Sequence, residues 1–308
     1  MTAASNQRIA YYNGAYLPEG EVRIPFRDRG FLHGDGVFDM TRTFGGRIFR
    51  IEEHVERLYH SLRSLRIDPG LSAKEMVEVS CEVLRRNAHF LDDSTDYWVA
   101  QRVSRGLSAI GDEGWSQDGA TVIVECIPLP LAKRATYYRD GVDLAVSPVR
   151  RTAPDALTPR AKTFNYLNLI TANQAMPPMG ENAMTVVLDH NGNLAEGLGS
   201  NLFLVRDGVC LTPKEQYVLP GVSRACVMDL ARKLGIAVEE ADLDFHDAYN
   251  ADEIFLTSTS LCIVPVRTFC GAVVGDGKLP GDITARITRA YADLVEFDFV
   301  AQYLKHLP

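Results

Sequence analysis

Four stretches of this 308-residue chain hold residues whose types and spacing could do chemistry together. Lys162 lies in PRAKTFNYLNLITANQA, where a polar segment runs into an amphipathic helical pattern, with Asn165 and Tyr166 close behind. A lysine amine can form a Schiff base with a carbonyl group. Glu196 follows the Asn191-Gly192 turn in LDHNGNLAEGLGSNLFLV, beside Gly197 and Gly199, where backbone can approach a flat ring. A carboxylate there could keep the nitrogen of a pyridine ring protonated. VLPGVSRACVMDLARKLG places Gly221, Val222 and Ser223 where a helix begins. First-turn N–H groups have no intrahelical partner and face the positive end of the helix dipole, so a phosphate is stabilised there. Thr259 and Ser260, in FLTSTSLCIVPV, could add hydroxyls. A Schiff-base lysine, an acid for a ring nitrogen and an N–H-rich phosphate site are the parts that pyridoxal phosphate requires.

Each part has a blander reading when taken alone. An isolated lysine is a solvated surface residue, and Glu196 is a solvent-facing glutamate at a strand end with its glycines serving a turn. TSTS is a tight hairpin. Two rival motifs also need weighing. GVSRA resembles the GxSxG nucleophile elbow of serine hydrolases, but Ala225 stands at the second glycine, Leu219-Pro220 leads in, and the alternating strand–helix pattern of that fold is absent. GAVVGDG lacks the GxGxxG spacing and opens no helix, so it reads as a loop or hairpin.

The elements that must position these residues are legible in outline. Asn13-Gly14 between aromatic residues signals a hairpin, and Gly45-Gly46 a strand entry. Val55, Leu58, Tyr59, Leu62 and Leu65 recur at helical spacing. A second helix begins at Ser72 with Glu75 completing a capping box and Met76, Val79 and Val83 inward. DYWVAQRVSRG and TVIVECIPL are strand-like. PLPLAKRATYYRDG reads as a linker, giving a small domain over 1–127, a linker over 128–137 and a larger domain over 138–308. The latter carries tight turns at Asn191-Gly192 and Asp207-Gly208. It also carries a helix near 223–234 stopped by Gly235, and a last helix from about Asp282 that buries Ile283, Ile287, Tyr291 and Leu294. Strands and helices are grouped rather than alternating, which predicts an α+β fold.

Composition narrows the partners. Hydrophobic residues make up 46% and charged residues 23%, and 32 basic against 40 acidic side chains give a net charge of −8. An acidic surface repels phosphate backbones and anionic lipid, so nucleic acid and membrane surfaces are excluded as partners. The cysteines at 81, 126, 210, 226, 262 and 270 form no CxxC and suggest no metal site; several sit in apolar runs as small hydrophobes, as in a reducing compartment. MTAASNQRIAYYNG is not a signal peptide, and no stretch reaches bilayer-spanning length, so a cytoplasmic protein is expected.

At RDRGFLHGDGVFDMTRTFGGRIFRIEEHVERL, KTFNYLNLITANQA, LAEGLGSNLFLV, LPGVSRACVMDLA and ADEIFLTSTSLCIVPV the chain resembles the fold-type IV pyridoxal-phosphate enzymes. These include branched-chain and D-amino-acid aminotransferases, (R)-amine transaminases and aminodeoxychorismate lyases. The resemblance covers nearly the whole length and keeps the family's order. It implies a smaller N-terminal α/β domain, a linker and a larger C-terminal domain with pyridoxal phosphate in the cleft. It assigns Lys162 as the Schiff-base lysine, Tyr166 to the cofactor's phenolic oxygen and Glu196 to its ring nitrogen. Leu219 would pack on the ring. Arg57 would join Gly221, Val222, Ser223, Thr259 and Ser260 around the phosphate, although the apolar neighbours Val55 and Leu58 give Arg57 the look of a surface residue. Lys162, once freed, would act as general base while Glu196 stabilises charge drawn into the ring. An amino donor and a 2-oxo acid would react in turn.

The resemblance leaves the substrate open. The branched-chain members' Tyr-x-Arg strand reads here Tyr97-Trp98-Val99-Ala100, with Ala100 at the arginine position. The D-amino-acid members' Arg-x-His and the (R)-amine members' arginine are missing from Gly106 to Asp112, though His33 in GFLHGD is shared with the latter. VFDMTR keeps Arg42 but has Met40 for glycine. The expectation is an aminotransferase of branched-chain type, with (R)-amine, D-amino-acid and lyase chemistry as alternatives. His33, Phe38, Arg42 and Arg105 are the substrate-side candidates. Arg42 could equally pair with Asp39, and Arg105 could equally bond loop backbone. The family's partner loop implies at least a homodimer, with LHGDGVF and VSRGLSAIG as the matching segments and Leu32, Val37, Leu107 and Ile110 exposed in a lone subunit.

Overall fold

The computed structural model describes residues 7–92, 95–111, 119–177 and 180–307; Asp112 of the Gly106–Asp112 loop and residues 1–6 of the amino-terminal stretch lie outside them. The chain forms two compact units, Met1–Leu129 with Ala161–Asn165, and Pro130–Arg160 with Tyr166–Pro308. The fold is α+β, as expected.

The first unit is built on strands β1 (Ile9–Tyr12), β2 (Ala15–Pro18), β3 (Gly36–Phe44), β4 (Arg47–Ile48), β5 (Tyr97–Ser104) and β6 (Thr121–Pro128). They lie in the order β2-β1-β6-β5-β3-β4, every pairing antiparallel. The β1–β2 hairpin turns at Asn13 (φ 44°) and Gly14 (φ 93°), the left-handed pair that matches strand twist. Helices α1 (Arg29–His33), α2 (Ile51–Leu65) and α3 (Ala73–Asn87) complete the unit. The Ser72–Glu75 capping box is present at the start of α3, whose Met76 and Val83 are buried and Val79 half-buried. Val55, Leu58 and Leu62 of α2 join Val37, Val99, Val103, Val122 and Val124 in one core.

The buried face of α2 is not purely apolar. His54, Arg57 and Ser61 recur along it at spacings of three and four and are buried with the hydrophobic stripe. Asp39 of β3 meets them: Arg57 donates through Nε and Nη2, each at 2.8 Å, and His54 Nδ1 lies 2.7 Å from Asp39 Oδ1. Burial alone would push the Asp39 carboxyl up, but the Arg57 charge beside it, with His54, holds it far below the usual carboxylate range. Burial is also the chief reason that the His54 imidazole is held below its ordinary value; the Arg57 and Lys162 charges act the same way, and Asp39 opposes them.

The second unit carries β7 (Val142–Val146), β8 (Ala183–Leu188), β9 (Leu194–Gly197), β10 (Asn201–Arg206), β11 (Val209–Pro213), β12 (Val238–Ala241), β13 (Glu253–Ser258), β14 (Cys262–Phe269) and β15 (Ala272–Val273). The order is β12-β11-β10-β13-β14-β7-β8-β9, with β15 on β14. β9 also pairs with β10 at Glu196↔Asn201, so the six strands from β10 to β9 close into a circuit around Leu144, Val186, Leu202, Leu256 and Val264. Helices α4 (Leu131–Asp140), α5 (Leu167–Gln174), α6 (Val222–Lys233), α7 (Phe245–Tyr249), α8 (Asp282–Val295) and α9 (Phe299–Leu304) complete it. Among the described residues no helix is long and apolar enough to cross a membrane.

Several expectations need correction. The stretch read as a linker is the end of β6 and then α4, which buries Leu131, Ala135 and Tyr138 on one stripe that the surrounding Lys133, Arg134 and Arg139 obscure in the sequence. Residues 161–165 belong to the first unit although they lie far along the chain. α8 buries Val295, leaves Leu294 38% exposed, and is followed by α9. Cys126, Cys210, Cys226 and Cys262 are buried free thiols, whereas Cys81 and Cys270 are exposed.

The Asp39 cluster sets an acid-stability signature. Both groups have depressed values in the fold, so the unfolded chain takes up protons first. The His54 contribution is complete above pH 6.5 and lost as the pH falls toward its depressed value; the Asp39 contribution is complete above pH 3.8 and lost below it. Asp39→Asn strands the Arg57 charge in the core, and urea unfolding at neutral pH should read a loss of about 3–5 kcal/mol. The same variant should lose less additional stability than the wild type between pH 4 and pH 2.

Candidate active site

Lys162 is placed by backbone pairing. Residues 161–165 run antiparallel to the start of β3: Phe38 N–H donates to the Lys162 carbonyl and Phe164 N–H to the Gly36 carbonyl, both at 2.9 Å, with a bridge between Val37 and Thr163. The Lys162 N–H in turn donates to Ser61 Oγ of α2 at 3.0 Å. A side chain at residue 36 would come within 2.4 Å of the Phe164 ring, so this approach requires glycine. The Lys162 amine stands 4.4 Å from the centre of the Phe38 ring and is half-buried. A solvated surface lysine does not describe it.

Arg57 is buried and oriented by Asp39, which corrects its surface look. Sequence reasoning missed Asp39, His54 and Ser61. The available signal was the polar stripe His54–Arg57–Ser61 lying on the same helical face as Leu58 and Leu62.

The two arginines expected to offer themselves to a substrate carboxylate are both engaged in the fold. Arg42 is fully buried, its guanidinium 4.1 Å from the Phe44 ring centre, with Nε donating to the Thr43 carbonyl and Nη2 3.7 Å from Asp96 Oδ2. Its partner is Asp96, not Asp39, and it presents no surface to a ligand. Arg105 binds Asp35 through Nε at 2.7 Å and the carbonyls of Leu65 and Arg66 through its terminal nitrogens. That is the loop-bracing reading. His33 is exposed at the end of α1, and Phe38 is half-buried beneath the Lys162 amine.

In the second unit, Glu196 is 4% exposed and is not a solvent-facing glutamate. Its Oε1 accepts from Arg151 Nε at 2.8 Å and its Oε2 from the Leu219 N–H at 2.9 Å. Arg151, one of two adjacent arginines in a loop, gave no sequence signal. The Leu219 carbonyl accepts from Asn201 Nδ2 at 2.9 Å, and Asn201 pairs with both Glu196 and Thr257. One side chain therefore ties the carboxylate's strand to the turn before α6. Gly197 and Gly199 belong to the β9–β10 turn, where Gly197 N–H donates to the Ser200 carbonyl.

Gly221 is the N-cap of α6, and among the described residues no side chain caps the helix. A Cβ on Gly221 would lie 2.2 Å from Asn201 Oδ1, so the turn needs glycine to come this close. The first bond back along α6 is Ala225 N–H to the Gly221 carbonyl, which leaves the preceding amides for an external acceptor. Among the described residues, Thr257 Oγ1, on the same sheet face as Asn201, is buried and has no hydrogen-bond partner. An oxyanion fits this donor set of amides and an orphaned hydroxyl. Of the hydroxyls expected here, Ser260 Oγ accepts from Arg134 at 2.6 Å, and the Ser260 carbonyl accepts from the Tyr303 hydroxyl. Thr259 is half-buried in the hairpin turn, and Ser223 Oγ is 3.4 Å from the Tyr291 hydroxyl. That tyrosine is not the base that a hydrolytic serine needs. Tyr166, the N-cap of α5, packs with Leu169, Ala172, Val187, Ala195 and Val218, the last two adjacent in sequence to Glu196 and Leu219.

The chain is similar to known proteins over nearly its whole length. The amino-transferase class IV family matches residues 36–269. A putative branched-chain-amino-acid aminotransferase of Methanocaldococcus jannaschii is 36% identical over 92% of this chain and 95% of its own. The crystal structure of the Escherichia coli branched-chain amino acid aminotransferase superposes with a TM-score of 0.84 at 30% identity, covering 95% of this chain and 96% of that one. The T.th. branched-chain amino acid aminotransferase, complexed with N-(5'-phosphopyridoxyl)-L-glutamate, gives 0.80 at 27% identity, covering 97% and 95%. With a family match across most of its length and relatives aligned nearly end to end, the chain belongs to the class IV aminotransferases and is a pyridoxal-phosphate-dependent transaminase.

Proposed function

We propose that the enzyme moves the amino group of a branched-chain amino acid to a 2-oxo acid, with Lys162 as the attachment point of the cofactor and the base of the reaction. The observation that carries this is the pinning of Lys162 on both sides of its backbone, by Phe38 N–H and Ser61 Oγ, with its amine over the Phe38 ring. A lysine that must release and recapture a cofactor at one place needs a fixed main chain and a movable amine. The branched-chain names of its relatives support the substrate class.

Bound pyridoxal phosphate supplies an electron sink that lets a proton leave the substrate carbon. Glu196 would face the ring nitrogen, with Arg151 and the Leu219 N–H fixing its two oxygens. Leu219 would pack on the ring, and Tyr166 would serve the phenolic oxygen. The amides of Val222 and Ser223 following Gly221, the Thr257 hydroxyl, Thr259 and the Asp39-oriented Arg57 would hold the phosphate. Ser260 would stand beside them, since accepting from Arg134 does not use its hydroxyl proton. The Lys162 amine would carry the proton.

Ile24, Phe26, Phe31, Leu32 and Ile110 are 53, 72, 72, 46 and 85% exposed on the first unit, apolar surface that supports a homodimer; Val37 does not contribute to it, being wholly buried in the core.

In a donor screen against 2-oxoglutarate, L-leucine, L-isoleucine and L-valine should outpace their D-forms and (R)-1-phenylethylamine. Faster turnover of the amine or of a D-amino acid would overturn the substrate reading. Light scattering should give a dimer or a higher assembly, and Phe31→Asp with Ile110→Asp should dissociate it and lower activity; a fully active wild-type monomer would contradict this.

A further inference from the structure

With Arg42 and Arg105 engaged elsewhere, the face of the sheet beneath Lys162 still holds another cation. In the β3–β5 register Phe38 lies directly opposite Arg102, Met40 opposite Ala100 and Arg42 opposite Trp98. Directly opposed residues of antiparallel strands share a face, and residues two apart on one strand share it too. Arg102 therefore stands on the same face as Ala100, one register step along, beside the ring over which the Lys162 amine sits. The distances agree: the Phe38 ring centre is 4.4 Å from Lys162 Nζ and 5.8 Å from the Arg102 guanidinium carbon.

The guanidinium is oriented and only partly used. Its Nε donates to Glu125 Oε1 of β6 at 2.6 Å, and its side chain is 35% exposed. Among the described residues its two terminal nitrogens have no hydrogen-bond partner. Arg42 is sealed in the core and Arg105 spends both terminal nitrogens on backbone carbonyls. Arg102 differs from both in having an anchored Nε and a planar fork of donors left open, the arrangement that grips a carboxylate in two places. The ordinary alternative is a solvated ion pair with Glu125, which would contribute little to anything.

We propose that Arg102 binds the α-carboxylate of the amino and 2-oxo acids, with Glu125 orienting it. The assignment rests on the proposed amino-acid transaminase reading and replaces the arginine missing at Ala100 by one two residues on. The apolar neighbours on the same face, Met40 and Ile123 among them, suit an aliphatic side chain next to a single charged anchor.

Calorimetric titration of the holoenzyme with 4-methylpentanoate and with its neutral isostere 4-methylpentanamide tests this, alongside KM for L-leucine and L-leucinamide. Arg102→Gln keeps a donor for Glu125 and removes the charge. It should weaken the acid at least about tenfold, as expected for loss of a bidentate charge-assisted contact, and leave the amide unchanged within error. Arg102→Lys, which keeps charge but not the fork, should fall between. Cofactor absorbance and Tm should match the wild type in both. Equal weakening of acid and amide, no weakening of either, or a lysine variant indistinguishable from glutamine overturns the assignment. A wild type that takes up no cofactor, or that transaminates no amino acid, overturns the underlying functional reading instead.

Discussion

The short antiparallel pairing between residues 161–165 and the first three residues of β3 is the contact on which the placement of Lys162 depends. The start of β3 has one side against β5 and would leave amide and carbonyl groups open on the other; Lys162 and Phe164 satisfy them. That pairing also decides where the lysine amine emerges, because a shift of one residue would send it to the opposite face. β3 then works on both faces. Phe38 and Met40 floor the side where the amine stands, while Asp39 reaches the other side and fixes Arg57 and His54 of α2. Ser61, one turn further along the same helix, closes the loop by accepting from the Lys162 amide.

The second unit solves a parallel problem with a carboxylate. A buried glutamate needs partners for both oxygens, and here a guanidinium takes one and a backbone amide the other. The amide belongs to Leu219, whose carbonyl is held by Asn201 at the point where β9 and β10 complete the strand circuit. Glu196 and the amide-rich start of α6 are thereby fixed by the same few bonds. Changing Asn201 would be felt at both ends, and Gly221 is confined to glycine by the same side chain.

Local chemistry was legible in the sequence and long-range partnership was not. The Ser72 capping box, the Asn13-Gly14 and Asp207-Gly208 turns and the start of α6 depend on residues within a few positions of one another, so their signals lie side by side. Lys162 and Glu196 were singled out because their neighbours resemble a family. Arg151, Thr257 and Asp39 were missed because each matters through a partner well separated from it in the chain. Arg42 and Arg105 stood open in the sequence between reaching a carboxylate and bracing the fold, and burial against Phe44 or a pair of backbone carbonyls engages each in the fold. The basic residues of α4 hid a buried stripe, since a helix that covers a sheet needs only every third or fourth residue to be apolar.

The central claim is that Lys162 carries the cofactor, and covalent trapping tests it most directly. Purified protein saturated with pyridoxal phosphate would be reduced with borohydride, digested, and its peptides mapped by mass. A phosphopyridoxyl adduct on Lys162 alone, abolished in Lys162→Ala while that variant keeps its Tm, is the result expected. An adduct on another lysine, or none in a protein that nonetheless transaminates, would contradict it.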